Sequence, residues 1–196
     1  MNGIEAQAGY RPAHEETLKT VEGAAIMESL GAVATIALAV VGLAGLFAPT
    51  MAAIATIVLG ASIWIEEGAF VASHSAIPAT GESMARISAW SEGLAAEFLG
   101  GLTGIVLGIL ALLGIVPHTL LAVAALVFGA TFLFSGMTNA TSSSQALMGI
   151  SALVLGLLAL IGMSPLILIL SALACLGSSA LLRGAVTSAR MAMVRR

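Results

Sequence analysis

The residues of this chain that could do chemistry are few, and most of them are glutamates at the edges of apolar runs. Glu28, Glu66, Glu67 and Glu97 each abut such a run, with His74 and Glu92 nearby. Carboxylates combined with imidazole are the donor set that binds iron, manganese or zinc. If the helix before Glu66 continues past Ile65, Glu67 and His74 stand seven positions apart and share a face. The candidate metal ligands are therefore Glu28, Glu66, Glu67, His74 and Glu97. A di-iron bundle would carry Glu-x-x-His on its helices, and no such motif occurs. The competing expectation is that these glutamates are solvated, or pair with Arg86, Arg183 and Arg190.

Other chemistry has less support. There is no Cys-x-x-Cys, Walker loop, Gly-x-Ser-x-Gly or His-Glu-x-x-His. Cys175 is a lone cysteine inside an apolar run, where a small packing residue is the expected role. His14 and His118 have no evident ligand partners, and Met191 and Met193 are too few for a copper-binding tract. The sequence predicts no catalytic residues, no bound cofactor and no enzymatic activity.

What must position these groups is a membrane body. Of 196 residues, 59% are hydrophobic and 9% charged, and the mean hydropathy is +1.09. From 98 to 182 there is no Asp, Glu, Lys or Arg. A bilayer calls for such a stretch and an aqueous surface does not. All 10 acidic residues are Glu at or before Glu97, so nothing suggests a nucleic-acid partner. The N-terminal residues lack the basic start and apolar core of a signal peptide.

A spanning helix needs about 20 apolar residues. Cutting the runs at their prolines predicts six: Ser29–Ala48, Thr50–Ile65, Phe98–Val116, Thr119–Gly136, Ala146–Ser164 and Leu166–Leu182. Proline lacks an amide donor and disfavours helix in the residue before it, so Pro49, Pro117 and Pro165 read as hairpin corners. The expected fold is all-α: a polytopic membrane protein whose six transmembrane helices are three repeated helical hairpins. The phrase "LALLGIVP" at 110–117 returns as "LALIGMSP" at 158–165 and more loosely as "GLAGLFAP" at 42–49. Pro49 to Gly68, Pro117 to Gly136 and Pro165 to Gly184 are each nineteen positions, with Gly60, Gly129 and Gly177 between. Such a repeat marks a unit that buries its apolar faces on its neighbours.

The domain reading follows. Residues 1–28 form a cytoplasmic segment with an amphipathic helix, its stripe being Leu18, Val21, Ala25 and Met27. Residues 29–184 form the membrane domain, as hairpins 29–68, 98–136 and 146–184 with a cytoplasmic connection at 69–97. Met84, Ile87, Trp90, Leu94 and Phe98 stripe the end of that connection. Residues 185–196 are a basic tail. Arg11, Lys19, Arg86, Arg183, Arg190, Arg195 and Arg196 all fall on the side of the termini, which the positive-inside rule places in the cytoplasm. Gly100, Gly104 and Gly108 form a small-residue ridge that either packs within the chain or makes a subunit interface. Thr35, Thr56, Ser62, Thr103, Thr131, Ser151 and Ser171 are the polar groups of the spans, expected to bond to the preceding helical turn.

Three hairpins reading Gly–(apolar)–Gly–x–x–Pro–(apolar)–Gly, through "LALLGIVP", "LALIGMSP" and the closing Gly68, Gly136 and Gly184, resemble the short-repeat membrane proteins typified by the acid-resistance protein HdeD. The resemblance covers residues from about 28 to 185. It implies an inner-membrane protein, linked in some members to acid stress, with no catalytic residues to carry over. The long Glu-rich N-terminal segment and the 66–97 connection depart from the pattern. The function expected is a non-enzymatic scaffold or accessory subunit of the cytoplasmic membrane, with the lipid bilayer and a homo-oligomer or larger complex as its partners. The alternatives are a metal-binding or redox protein using the Glu/His rim, and a channel or transporter for protons or a small solute.

Overall fold

The computed structural model describes residue 23 and residues 26–74, 83–138 and 143–194. Side chains of residues 67, 69–95, 138 and 143, and those beyond 186, lie outside that description, as does the proposed amphipathic helix before residue 26. Six helices account for almost all of the described chain: α1 (Ile26–Leu43), α2 (Ala48–His74), α3 (Ser83–Leu112), α4 (Pro117–Thr138), α5 (Ser143–Leu160) and α6 (Pro165–Val194). Leu, Ala, Ile and Val dominate them, and in lipid a helix is the one open-ended element that satisfies its own backbone. Windows in α1, α2, α4 and α6 are long and apolar enough to cross a membrane, while Ala96–Leu112 and Ser144–Leu160 are shorter apolar helices. The protein is an all-α membrane protein.

The corners are built before the prolines, not at them. In α1 the last turn closes with Gly45 N–H donating to the Gly42 carbonyl and Leu46 N–H to that of Val41. The same pair recurs at Gly114 and Ile115, and at Gly162 and Met163. This is a Schellman motif, whose C′ residue must be left-handed; the three glycines have φ of 87°, 83° and 94°. Two residues later Phe47, Val116 and Ser164 are also left-handed, at 46°, 39° and 45°. That costs a residue with a Cβ some strain, and the turn needs it to reverse the chain in four residues. Pro117 and Pro165 then open their helices, where fixed φ and a missing N–H do no harm. The hairpin-corner reading of Pro49, Pro117 and Pro165 is corrected accordingly: each proline starts the returning helix.

This moves the register of the first repeat by one residue. Ala48, Pro117 and Pro165 are equivalent, and Pro49 is the second residue of its helix. Gly60, Gly129 and Gly177 then stand twelve positions on in all three copies. Gly68 drops out of the pattern: a Cβ there would meet nothing within 4 Å, whereas at Gly136 it would lie 2.5 Å from the Ala146 nitrogen. Helix also continues outside the apolar spans, as the stripe from Met84 to Phe98 leads one to expect. Helix fills much of the expected 69–97 connection, from α2 up to His74 and from Ser83 onward, and α6 runs through most of the 185–196 tail. Neither segment contains a proline to stop it, other than Pro78 between the two helices.

The returning helices α2, α4 and α6 touch one another and form the centre, and α3 packs on α2 and α4 while α5 packs on α4 and α6. Accordingly 44%, 50% and 44% of the spans of α2, α4 and α6 are buried, against 28% for α1. Close backbone approach closes the ring. A Cβ on Gly60 would lie 2.6 Å from the Gly101 carbonyl oxygen, one on Gly129 2.9 Å from that of Gly149, and one on Gly177 3.2 Å from that of Ala32. These are equivalent positions, so α2 meets α3, α4 meets α5 and α6 meets α1 in one geometry. The third contact returns the end of the chain to its beginning. On the central helices Leu59, Phe128 and Leu176, again equivalent, are wholly buried.

Candidate functional site: a carboxylate–guanidinium layer

The register that aligns the corners also aligns six polar positions. Twenty residues before each returning helix stand Glu28, Glu97 and Gln145; eighteen residues after its start stand Glu66, Ser135 and Arg183. Each of the six helices contributes one. At about 1.5 Å per residue, eighteen residues put this layer about 27 Å from the corner end, roughly the thickness of the hydrocarbon core. Glu28 is 0% exposed, Glu66 3% and Glu97 2%.

Arg183 is the hub. Its Nε donates to Glu28 Oε1 at 2.9 Å, and its Nη1 to Glu97 Oε1 and Oε2 at 3.0 and 2.8 Å. Nη2 donates to Glu66 Oε2. The planar fork of the guanidinium makes four hydrogen bonds to three carboxylates on three helices, one more than the three donors of a lysine ammonium could supply. The guanidinium also lies over the Phe132 ring, 5.7 Å from its centroid. Gln145 extends the network, its Nε2 lying 3.2 Å from Glu97 Oε1 and 3.4 Å from Ser135 Oγ.

The three metal candidates Glu28, Glu66 and Glu97 thus come together, but around an arginine. A cation already occupies the point where their carboxylates converge. Among the described residues no group of three or more His, Cys, Asp or Glu side chains is arranged to hold a metal ion. Glu67 and His74 lie on α2, and their side chains are outside the described residues, as are those of Arg86 and Arg190. Of the two expectations for a metal-free rim, pairing with Arg183 describes Glu28, Glu66 and Glu97, and solvation does not. Gln145 and Ser135 were not singled out from the sequence. The signal that finds them is the repeat itself, once aligned on Gly60, Gly129 and Gly177 in place of the prolines.

Beyond the layer the interior offers hydroxyls that are already engaged. Thr35 donates to the Gly31 carbonyl and Thr56 to that of Ala52, each at 2.8 Å. Ser62, Thr131 and Ser179, equivalent in the three repeats, donate to Leu59, Phe128 and Leu176 at 2.9, 2.8 and 2.9 Å. A hydroxyl bonded to its own helix is a poor relay for a solute or proton. The glycine ridge faces inward: a Cβ on Gly100 would overlap Thr131, one on Gly104 the Phe128 ring, and one on Gly108 would lie 2.6 Å from Ile57 Cγ1. Cys175 is a free, half-buried cysteine.

Fold and site define a helical membrane protein of three hairpins, joined at one end through Arg183. No protein-family model, curated protein or solved structure matches the chain.

Proposed function

We propose that this protein is a six-span, non-enzymatic body of the cytoplasmic membrane, acting as a scaffold or accessory subunit that presents its polar end to a partner. The observation that carries this reading is the filled interior: Leu59, Phe128 and Leu176 are wholly buried on the three central helices, and the neighbouring hydroxyls are spent on their own backbone. A conduit needs polar groups along its length, and here the charges stop at one end. The six-span count is supported by the repeat, which gives the apolar parts of α3 and α5 the same register to their corners as α1. The orientation rests on the basic residues, all of which lie in sequence on the layer's side of the corners. On that side α2, α3 and α6 run on past Glu66, Glu97 and Arg183, giving a partner a helical surface outside the membrane. The HdeD-like resemblance, with its link to acid stress, is consistent with such a role.

Reconstitution into sealed vesicles tests the reading. Proton and monovalent-cation fluxes equal to those of empty vesicles over a wide pH range are expected. Flux that scales with protein and is abolished by Phe128→Ala or enhanced by it would replace the scaffold with a conduit.

A further inference from the structure

The hydrogen bonding of the polar layer leaves one atom over. Arg183 serves Glu28 Oε1, Glu66 Oε2 and both oxygens of Glu97. Glu28 Oε2, on a side chain with no exposure, receives no hydrogen bond among the described residues. Buried carboxylate oxygens are normally satisfied, and one that is not calls for a donor. The group placed to supply a donor is the Glu66 carboxyl: Glu28 and Glu66 accept from Nε and Nη2, neighbouring N–H groups on one edge of the guanidinium, which sets the two carboxyl groups side by side. Two ionised carboxylates are both acceptors only. A proton on one of them turns the contact into an O–H···O⁻ bond, the short charge-assisted kind.

The surrounding charges point the same way. Glu28 comes from α1, Glu66 from α2, Glu97 from α3 and Arg183 from α6, while α4 and α5 bring the uncharged Ser135 and Gln145. Among the described residues three carboxylates share one guanidinium. Glu97 accepts from Nη1 at both oxygens, whereas Glu28 and Glu66 each accept one N–H, at neighbouring positions on the other edge of the guanidinium. A metal ion would need several oxygen ligands around it, and the guanidinium stands on the same two carboxyl groups. A proton needs two oxygens and no added space.

We propose that Glu28 and Glu66 together bind one exchangeable proton, forming a proton site at the polar end of the bundle. Beyond it the buried side chains are apolar, Leu59, Phe128 and Leu176 among them, or hydroxyls bonded to their own helix, so the proton exchanges with the aqueous phase on the layer's side of the membrane. The site is independent of what the body docks to: vesicle flux can be nil while the site titrates.

Infrared spectroscopy of the full chain in lipid nanodiscs reads it directly. At pH 7, where solvated glutamates are ionised, a protonated-carboxyl C=O band that shifts in D2O is expected, with an intensity of about one carboxylic acid per chain. Glu28→Gln and Glu66→Gln should each abolish it, since the amide donates the hydrogen bond the proton supplied and the fold is kept. Glu97→Gln should leave the band in place, because Glu97 is held by Arg183. Should a Gln variant fail to fold, Glu28→Asp, which keeps the carboxyl and widens the gap, must move the band. No band in the unaltered protein overturns the proposal. So does a band lost only in Glu97→Gln, or thermal stability that responds to added Na⁺ or Ca²⁺ through Glu28 and not to pH.

Discussion

The two ends of the hairpins solve different problems with the same repeat. At the corner end the three copies are nearly interchangeable: Gly45, Gly114 and Gly162 take the same left-handed conformation, and the two bonds that close each helix recur in every copy. At the other end the six equivalent positions hold Glu, Glu, Glu, Ser, Gln and Arg. A corner is a local backbone device, so each copy must meet the same requirement. The layer is a set of partners, and three identical copies would repeat one pair of groups three times, so that no one cation could face several acids. A closed ring of repeats therefore keeps its turns alike and diversifies its charges. The difference teaches where each kind of change should hurt.

Breaking the layer has the largest expected effect. Arg183→Met leaves three buried carboxylates without their cation, and removing one partner of a buried pair costs about 3–5 kcal/mol. Unfolding in a denaturing detergent titration should show the loss. Neutralising the acids in the same chain, with Glu28→Gln, Glu66→Gln and Glu97→Gln, should recover most of it, since a buried ion cluster replaced whole is often neutral. A quadruple variant no better than Arg183→Met would mean that the arginine stabilises by its packing on Phe132 and not by charge.

Next comes the close packing that joins the ends. Leu at Gly104 would occupy the space of the Phe128 ring, and overpacking costs about 1–3 kcal/mol, occasionally more. The expected result is lower thermal stability of the purified chain, partly relieved by Phe128→Ala. Loss of an oligomer from an otherwise unchanged monomer would instead make the ridge a subunit contact.

The corners should respond least, and alike. Gly45→Ala, Gly114→Ala and Gly162→Ala each force a Cβ into the left-handed region, for about 1–2 kcal/mol. The three should agree within about 0.5 kcal/mol in the same unfolding assay. Val116→Gly should go the other way, by about 1 kcal/mol, because a β-branched residue is strained at a φ of 39°. Corner variants that differ as widely as layer variants would remove the contrast between the ends.

Much of the fold could be read from residue types alone. The uncharged stretch from 98 to 182 calls for a bilayer, and the recurring "LALLGIVP" phrase marks one hairpin used repeatedly. The corner was misplaced because proline is the loudest breaker in each phrase, whereas the chain actually turns on glycine and on Phe47, Val116 and Ser164, none of which favours that conformation. The site was half legible. Glu28, Glu66 and Glu97 were visible as acids at the ends of apolar runs, but Gln145 and Ser135 look like ordinary polar residues, and Arg183 like one basic residue among seven.

Sequence by itself determined the solvent this protein lives in and the unit it is built from, because hydropathy and turn chemistry act over a few residues. Tertiary structure alone decided that α6 packs back onto α1, and with it that Arg183 meets Glu28 across 155 positions of chain. Whether a carboxylate is solvated, ligates a metal or is bound to an arginine depends on what stands opposite it. No local pattern carries that information; the closure of the ring does.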